Sequence, residues 1–172
     1  MVFLRTLSND FKLNVYRLGG YYIKRKIHVY CDEFGWGTDH NSENATNLIE
    51  TGKSAAHRNT FDISLKETKE TFENNMKLLY SIAEWCEEKD MNLILLTPPA
   101  YQTYIDNLND LQLSITIKTV NTVASKYKNC QYYNLMNDSS FTAIDFYDAD
   151  HLSEIGAKKL TNIISTIIDE ME

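Results

Sequence analysis

The chain is poor in the residues that mark specialised protein classes. Two prolines and six glycines among 172 residues are too few for a collagen-like or Pro/Gly-rich disordered chain. The longest uninterrupted aliphatic run, residues 93–96, is far shorter than the roughly 20 residues that a membrane span needs. No signal peptide or membrane anchor is therefore expected. The three cysteines form no Cys-x-x-Cys pair, so neither a disulfide framework nor a structural zinc site is predicted: Cys31, Cys86 and Cys130.

Basic residues are also scarce relative to acidic ones. The chain has 17 lysines and arginines against 24 aspartates and glutamates, for a formal net charge of -7. Because nucleic-acid binding depends on neutralising phosphates with positive charge, we expect no nucleic-acid partner. The remaining composition, 43% hydrophobic and 24% charged, is typical of a globular domain with a substantial core.

From residue 64 onward, helical and strand patterns alternate. Apolar residues at spacings of three and four predict helices over 65–89 and 109–127, and a third one after Ser153. Short apolar runs predict buried strands over 92–97 and 131–135, with loops over 136–140 and 141–150. Parallel strands joined by helices need cover on both faces, so the predicted fold is a three-layer α/β/α sandwich with a parallel sheet. Ligands of such sheets bind beyond the carboxyl ends of the strands.

The first 63 residues are irregular and rich in aromatic side chains, and we interpret them with 64–172 as one domain. A helix over 3–22, interrupted at Gly19 and Gly20, and a strand over 24–31 are the expected elements, and residues 41–59 are expected to be a polar surface segment. At most three strands result, whereas open α/β sheets commonly have about five or six. The sheet is therefore predicted to be incomplete on its N-terminal side.

The most informative segment for chemistry is the one from Asp148 to Ala157, at the junction of a loop and the last helix. An aspartate three residues before a histidine can accept a hydrogen bond from the imidazole and fix its tautomer. The other ring nitrogen of His151 is then free to face a nucleophile. Ser153 is a good N-cap for the following helix, and Gly156 in its first turn allows another backbone to approach closely.

This segment resembles the last sequence block of the SGNH, or GDSL, hydrolase superfamily, Asp-x-x-His-Leu-Ser/Asn-x-x-Gly. The helix and strand that lead into Pro98-Pro99 are similar to a stretch of SGNH-like proteins from bacterial surface-polysaccharide clusters. The resemblance implies a flavodoxin-like SGNH fold and a serine esterase or O-acyltransferase that acts on acyl esters, such as those of a surface glycan. It implies His151 as general base, Asp148 as its orienting carboxylate and no cofactor, with a substrate edge that includes Pro99, Tyr101 and Tyr104.

The chain departs from the SGNH pattern in its first half. The Gly-Asp-Ser nucleophile block and the later glycine and asparagine of the oxyanion hole are not found, and none of the early serines follows a convincing strand. We therefore expect residues 1–172 to be the carboxy-terminal portion of a longer enzyme, or a degenerate member that serves as a non-catalytic interaction module. An open sheet would then favour self-association or a partner chain that completes it.

Other chemistries have weaker support. Residues three apart on a strand point to opposite faces, which disfavours a thiol site from Cys31 and His28. The histidines are too scattered to predict a metal site: His28, His40, His57 and His151. The early aromatic residues fit a core or interface better than a carbohydrate-stacking surface.

Overall fold

The computed structural model describes residues 11–25, 37 and 40–171, and the chain divides into two compact units, Met1–Asp39 and His40–Glu172. In the first unit, helix α1 (Phe11–Lys24) runs through Gly19 and Gly20 without the predicted interruption. A helical glycine costs only about 1 kcal/mol relative to alanine, which weakens a helix without breaking it. Most of the predicted strand over 24–31 lies outside the described residues, and its first residue, Lys24, ends α1.

From residue 64 onward, the second unit contains the predicted helices and strands in the predicted order, with further short elements between them. None of the described helices has the length and apolar character needed to cross a membrane. The elements are α2 (Leu48–Asn59), α3 (Lys66–Glu88), β1 (Leu93–Thr97), α4 (Gln102–Ile105), α5 (Asp110–Lys126), β2 (Cys130–Asn134), β3 (Phe146–Asp148), β4 (His151–Leu152) and α6 (Glu154–Asp169), with 3-10 helices at Ser42–Asn44 and Ala143–Asp145.

Strands β1 and β2 form a parallel pair, with Leu93 opposite Cys130 and Thr97 opposite Asn134. Helices α3 and α5 contribute Ala83 and Val123 to the buried cluster that packs against β1. Side chains that alternate along a strand share a face, so the helices cover the face that bears Leu93 and Leu95. The α/β class and the parallel arrangement are thus present, although the described residues show two strands of the predicted sheet rather than a full three-layer sandwich.

The segment 141–150, predicted to be a loop, is more regular than expected. It contains the second 3-10 helix and strand β3, which pairs antiparallel with β4 through an irregular register. A capping box between Thr142 and Asp145 closes the 3-10 turn, and Phe146 next to it is buried. Both features depend on burial against the rest of the unit, which local hydrophobic periodicity does not record.

Residues 41–59, predicted to be a polar surface segment, are mostly helical, and one face of their helix is buried. The side chain of Asn47 caps α2 by accepting hydrogen bonds from the backbone N–H groups of Ile49 and Glu50. The small residues of α2 are buried, and α2 packs on α4: Gly52, Ala55 and Ala56. Small side chains contribute little to an apolar stripe, so the hydrophobic periodicity of the sequence did not indicate this buried face.

Candidate functional site

The candidate site is built on the turn between β3 and β4, where Asp148 ends one strand and His151 begins the other. Nδ1 of His151 lies 2.8 Å from Oδ1 and 3.0 Å from Oδ2 of Asp148. With the carboxylate ionised, Nδ1 carries the proton that it donates, and Nε2 keeps a lone pair. The His151 side chain is 53% exposed, so the basic nitrogen is accessible to a reacting group.

Asp148 is suited to this role by its environment. Partial burial raises the pKa of its carboxyl, but hydrogen bonds from His151 and from the backbone N–H of Asp150 outweigh burial and lower the pKa below the ordinary value. The side chain is therefore a carboxylate at neutral pH. It can hold the imidazole in one tautomer and stabilise the imidazolium that forms when His151 accepts a proton.

Helix α2 supplies neighbours that the sequence pattern did not reveal. Nη2 of Arg58 lies 3.2 Å from Oδ2 of Asp150, and Oδ1 of the same carboxylate lies 3.6 Å from Nδ1 of His151. The Thr51 hydroxyl accepts a hydrogen bond from the backbone N–H of Ala149 at 3.2 Å. The Asn47-x-x-Glu50 spacing, similar to a capping box, was the available signal that a helix begins there.

A second imidazole also lies beside the turn. The ring centroid of His40 is 5.7 Å from that of His151 and 4.5 Å from that of Tyr147. The carbonyl of Tyr147 accepts a hydrogen bond of 2.8 Å from the backbone N–H of Thr46. His40 and Thr46 are therefore neighbours of the turn that bears the imidazole.

Beneath the turn, the start of α6 is fixed by buried polar contacts. The Ser153 hydroxyl donates to the carbonyl of Ile144 at 2.8 Å and accepts from the N–H of Gly156 at 3.3 Å, as expected of an N-cap. A Cβ atom at Gly156 would overlap the carbonyl of Asp145, so the close backbone approach predicted there is present. These contacts hold the base of the His151 strand in place.

The loop after β1, which contains the residues predicted to form the substrate edge, contacts the same turn. The backbone N–H of Tyr101 donates to the carbonyl of Ala149 at 2.9 Å, and that of Ala100 donates to the carbonyl of Met136 at 3.1 Å. Pro99 is buried, and the Tyr101 ring packs edge-on against Phe146 with centroids 5.6 Å apart. The Tyr104 hydroxyl accepts a hydrogen bond from Asn59 at 3.0 Å. The carboxyl ends of β1 and β2 thus lie at one edge with the turn.

A shallow groove of about 400 Å³ opens at this edge, beyond β2. Three aliphatic side chains from α4 and α5 form one wall, and the loop after β2 forms the other. The carboxyl of Asp138 lies on that loop, and a hydrogen bond from the backbone N–H of Ser140 lowers its pKa. The lining residues include Ile105, Leu113, Ile117, Asn134, Met136 and Asp138.

The structure also brings together a set of potential metal ligands that histidine spacing did not predict. One ligand atom each from Asp148, Asp150 and His151 lie within 4.8 Å of one another. Carboxylate oxygens and an imidazole nitrogen are suitable donors for a divalent transition metal. Coordination through Nδ1 would need its lone pair, whereas the hydrogen bond to Asp148 needs its proton. The two arrangements are therefore mutually exclusive.

Within residues 40–171 no serine hydroxyl contacts the His151 ring. The Ser42 hydroxyl donates to Glu154 at 2.7 Å, and the Ser54 hydroxyl donates to the carbonyl of Thr51. No protein-family model, curated protein or solved structure matches this chain.

Proposed function

We propose that this chain provides the histidine–aspartate part of an SGNH-like serine esterase or O-acyltransferase site. The observation that carries the proposal is the contact of the His151 imidazole with both carboxylate oxygens of Asp148, at 2.8 and 3.0 Å, with the ring still exposed. The strand–turn–helix context and the adjoining loop after β1 support it. The three-layer SGNH fold is part of the same proposal.

The chemistry requires a hydroxyl nucleophile delivered to Nε2 of His151 from outside residues 40–171. As the hydroxyl oxygen bonds to the ester carbonyl carbon, its proton passes to Nε2. The imidazolium, stabilised by the Asp148 carboxylate, then returns that proton to the departing alcohol as the carbon–oxygen bond breaks. Water or a sugar hydroxyl accepts the acyl group in the second half of the cycle.

The expected substrate is an acylated small molecule or glycan. The groove beyond β2 supports a neutral substrate, because it has one aliphatic wall and no lysine or arginine in its lining to pair with a phosphate or carboxylate. The Asp138 carboxylate can accept hydrogen bonds from sugar hydroxyls, and the aliphatic side chains can contact an acyl chain or the apolar face of a sugar ring.

Hydrolysis of a chromogenic short-chain acyl ester tests the proposal in the assembled enzyme, in which the hydroxyl nucleophile is present. We expect His151→Ala to lower kcat/KM by several orders of magnitude, as removal of the general base does in triads. Asp148→Asn should lower it by about 10⁴-fold, because an amide no longer stabilises the reactive tautomer. His57→Ala, on the exposed end of α2, is the matched control and should leave the rate unchanged. Turnover unaffected by His151→Ala would contradict the assignment.

A second candidate function is a non-catalytic interaction module that retains the scaffold. The absence of a serine contact at His151 within residues 40–171 favours it. A serine-directed fluorophosphonate reagent separates the two candidates, because it labels an assembled enzyme and leaves an interaction module unlabelled. Labelling lost in His151→Ala would support the enzyme.

A further inference from the structure

The outer edge of β1 is not paired with any other strand of the described residues. The N–H of Leu93 donates to Asn129 and the carbonyl of Thr97 accepts from Leu135, so residues 93, 95 and 97 hydrogen-bond to the β2 side. In a parallel pair the intervening residues direct both backbone groups to the opposite edge. Within the described chain, Ile94 and Leu96 therefore present their N–H and carbonyl groups to an edge that no other strand covers.

The sequence of this edge lacks the charged, proline and bulge features that discourage an edge strand from pairing. The sequence of β1 is Leu-Ile-Leu-Leu-Thr, with no charged residue, proline or bulge. Natural edge strands are usually protected by such features, because an apolar uncharged edge recruits another strand. The composition of β1 thus indicates a strand that is paired on both sides in the functional protein.

An apolar stripe on α3 lies on the same flank of the unit. Its side chains are exposed by 62%, 50% and 54% at Leu78, Ile82 and Trp85. Each residue turns a helix by about 100°, so Ile82 is nearly opposite Tyr80. Tyr80 faces α5, with its ring centroid 6.4 Å from that of Tyr127. Because α5 packs on β2, the stripe faces away from β2, toward the uncovered edge of β1.

We propose that a second copy of this chain covers this flank through a two-fold axis that sets α3 and β1 antiparallel to their counterparts. A two-fold axis near Ile82 places Leu78 of each copy against Trp85 of the other. Lys77 and Glu88 are both exposed, and they are eleven residues, or about three helical turns, apart, so they lie on the same side of the stripe. The axis therefore brings Lys77 of each copy near Glu88 of the other. The charges are thus complementary in this arrangement, and the isologous contact closes as a dimer.

The same axis pairs the two β1 strands in an antiparallel manner and forms a continuous four-stranded sheet. The N–H and carbonyl groups of Ile94 and Leu96 then acquire partners, and the two copies of α3 lie side by side on one face. One two-fold axis therefore supplies hydrogen-bond partners to the backbone of the β1 edge and also covers the apolar stripe. A contact between the helices alone, or between the strands alone, would do only one of these.

Analytical ultracentrifugation of the full chain tests the dimer. We expect a species of twice the 19.9 kDa chain mass at micromolar concentration. Ile82→Glu places like charges together at the axis and should weaken the dimer by about a hundredfold or more. Ile168→Glu, at an isoleucine of similar exposure on α6, is the matched control and should leave the dimer intact. A full chain that sediments as a monomer at about 100 µM would overturn the proposal.

Two further measurements keep the test independent of any folding defect in Ile82→Glu. Lys77→Glu and Glu88→Lys should each weaken the dimer, and the double variant should restore it, since the charges exchange places across the axis. In amide hydrogen exchange, Ile94 and Leu96 should be protected in the dimer and exposed in the monomeric variant, while Leu93 and Leu95 stay protected in both. A double variant that stays monomeric would contradict the two-fold arrangement. Rapid amide hydrogen exchange at Ile94 in the wild type would contradict it as well. Neither readout depends on ester hydrolysis.

Discussion

Asp145 is a charged residue whose side chain is buried beneath the site. Its side chain is fully buried, and Oδ2 accepts hydrogen bonds from Nζ of Lys159 at 2.6 Å and from the backbone N–H of Thr142 at 2.8 Å. Burial raises the pKa of this carboxyl, yet the Lys159 ammonium and Thr142 outweigh it and lower the pKa below its ordinary value. Its backbone carbonyl accepts from the N–H of Ser153, so this residue links the 3-10 turn to the start of α6.

Replacing Asp145 with asparagine should lower the free energy of unfolding by about 2–3 kcal/mol at pH 7, because the change leaves Lys159 without its ion-pair partner. The native pKa is below the unfolded value, so the contribution of the carboxylate is complete above the unfolded pKa and is lost as pH falls through the native one. Urea titrations at pH 7 and pH 3 measure the difference. Asp169→Asn, on the exposed last turn of α6, is the control and should change little at either pH.

The loss for Asp145→Asn should be clearly smaller at pH 3 than at pH 7. An equal loss at both pH values would show that packing rather than charge determines the role of Asp145.

At the scale of the elements, α2 and α6 each approach a neighbouring segment closely at a glycine. A Cβ atom on Gly52 would overlap the side chain and backbone of Thr103 in α4, and one on Gly156 would overlap the carbonyl of Asp145. Gly19 in α1 differs, since an added Cβ would meet no atom within 4 Å. At Gly52 and Gly156 an added side chain would collide with neighbouring atoms, whereas at Gly19 only the helix propensity would change.

Gly156→Ala should destabilise the protein by about 1–3 kcal/mol, because the new methyl group forces α6 away from the turn. Gly19→Ala should be neutral or stabilise by up to about 1 kcal/mol, because alanine is the better helix former and space is available. Thermal unfolding followed by circular dichroism compares the two variants. A Gly156→Ala protein as stable as Gly19→Ala would show that the approach of α6 to the turn is looser than described.

On the scale of the whole molecule, the site depends on contacts between residues of one unit, His40–Glu172. The Ser42 backbone and hydroxyl both donate to the Glu154 carboxylate at 2.7 Å, which ties the beginning of this unit to α6. Arg58 and Asp150 join α2 to the turn across 92 residues of sequence. A boundary at residue 64, suggested by the change in sequence pattern, would separate these partners.

A chain that begins at His40 should therefore fold cooperatively, whereas one that begins at Ser64 should lose α2, the Arg58 contact and much of its stability. Urea unfolding followed by circular dichroism, with the full chain as reference, measures both. Equal stability of the two shortened chains would show that residues 40–63 add nothing to the fold of the unit.

The sequence alone determined the features that depend on neighbouring residues. Helices α3, α5 and α6 and strands β1 and β2 lie within a residue or two of their predicted limits, because apolar periodicity and capping act over one or two turns. Asp148 and His151 are three residues apart, so a turn was enough to bring them together. The catalytic roles of both residues stay predictions.

Only the tertiary structure decided which distant residues surround that pair. The Arg58–Asp150 contact, the position of His40 and the pairing of β3 with β4 arise when separate elements pack. Helix α2 was missed because it is buried through glycine and alanine, which make a weak apolar pattern but a close fit against α4. Such contacts depend on shape and burial across the whole unit, and a local pattern contains no information about either.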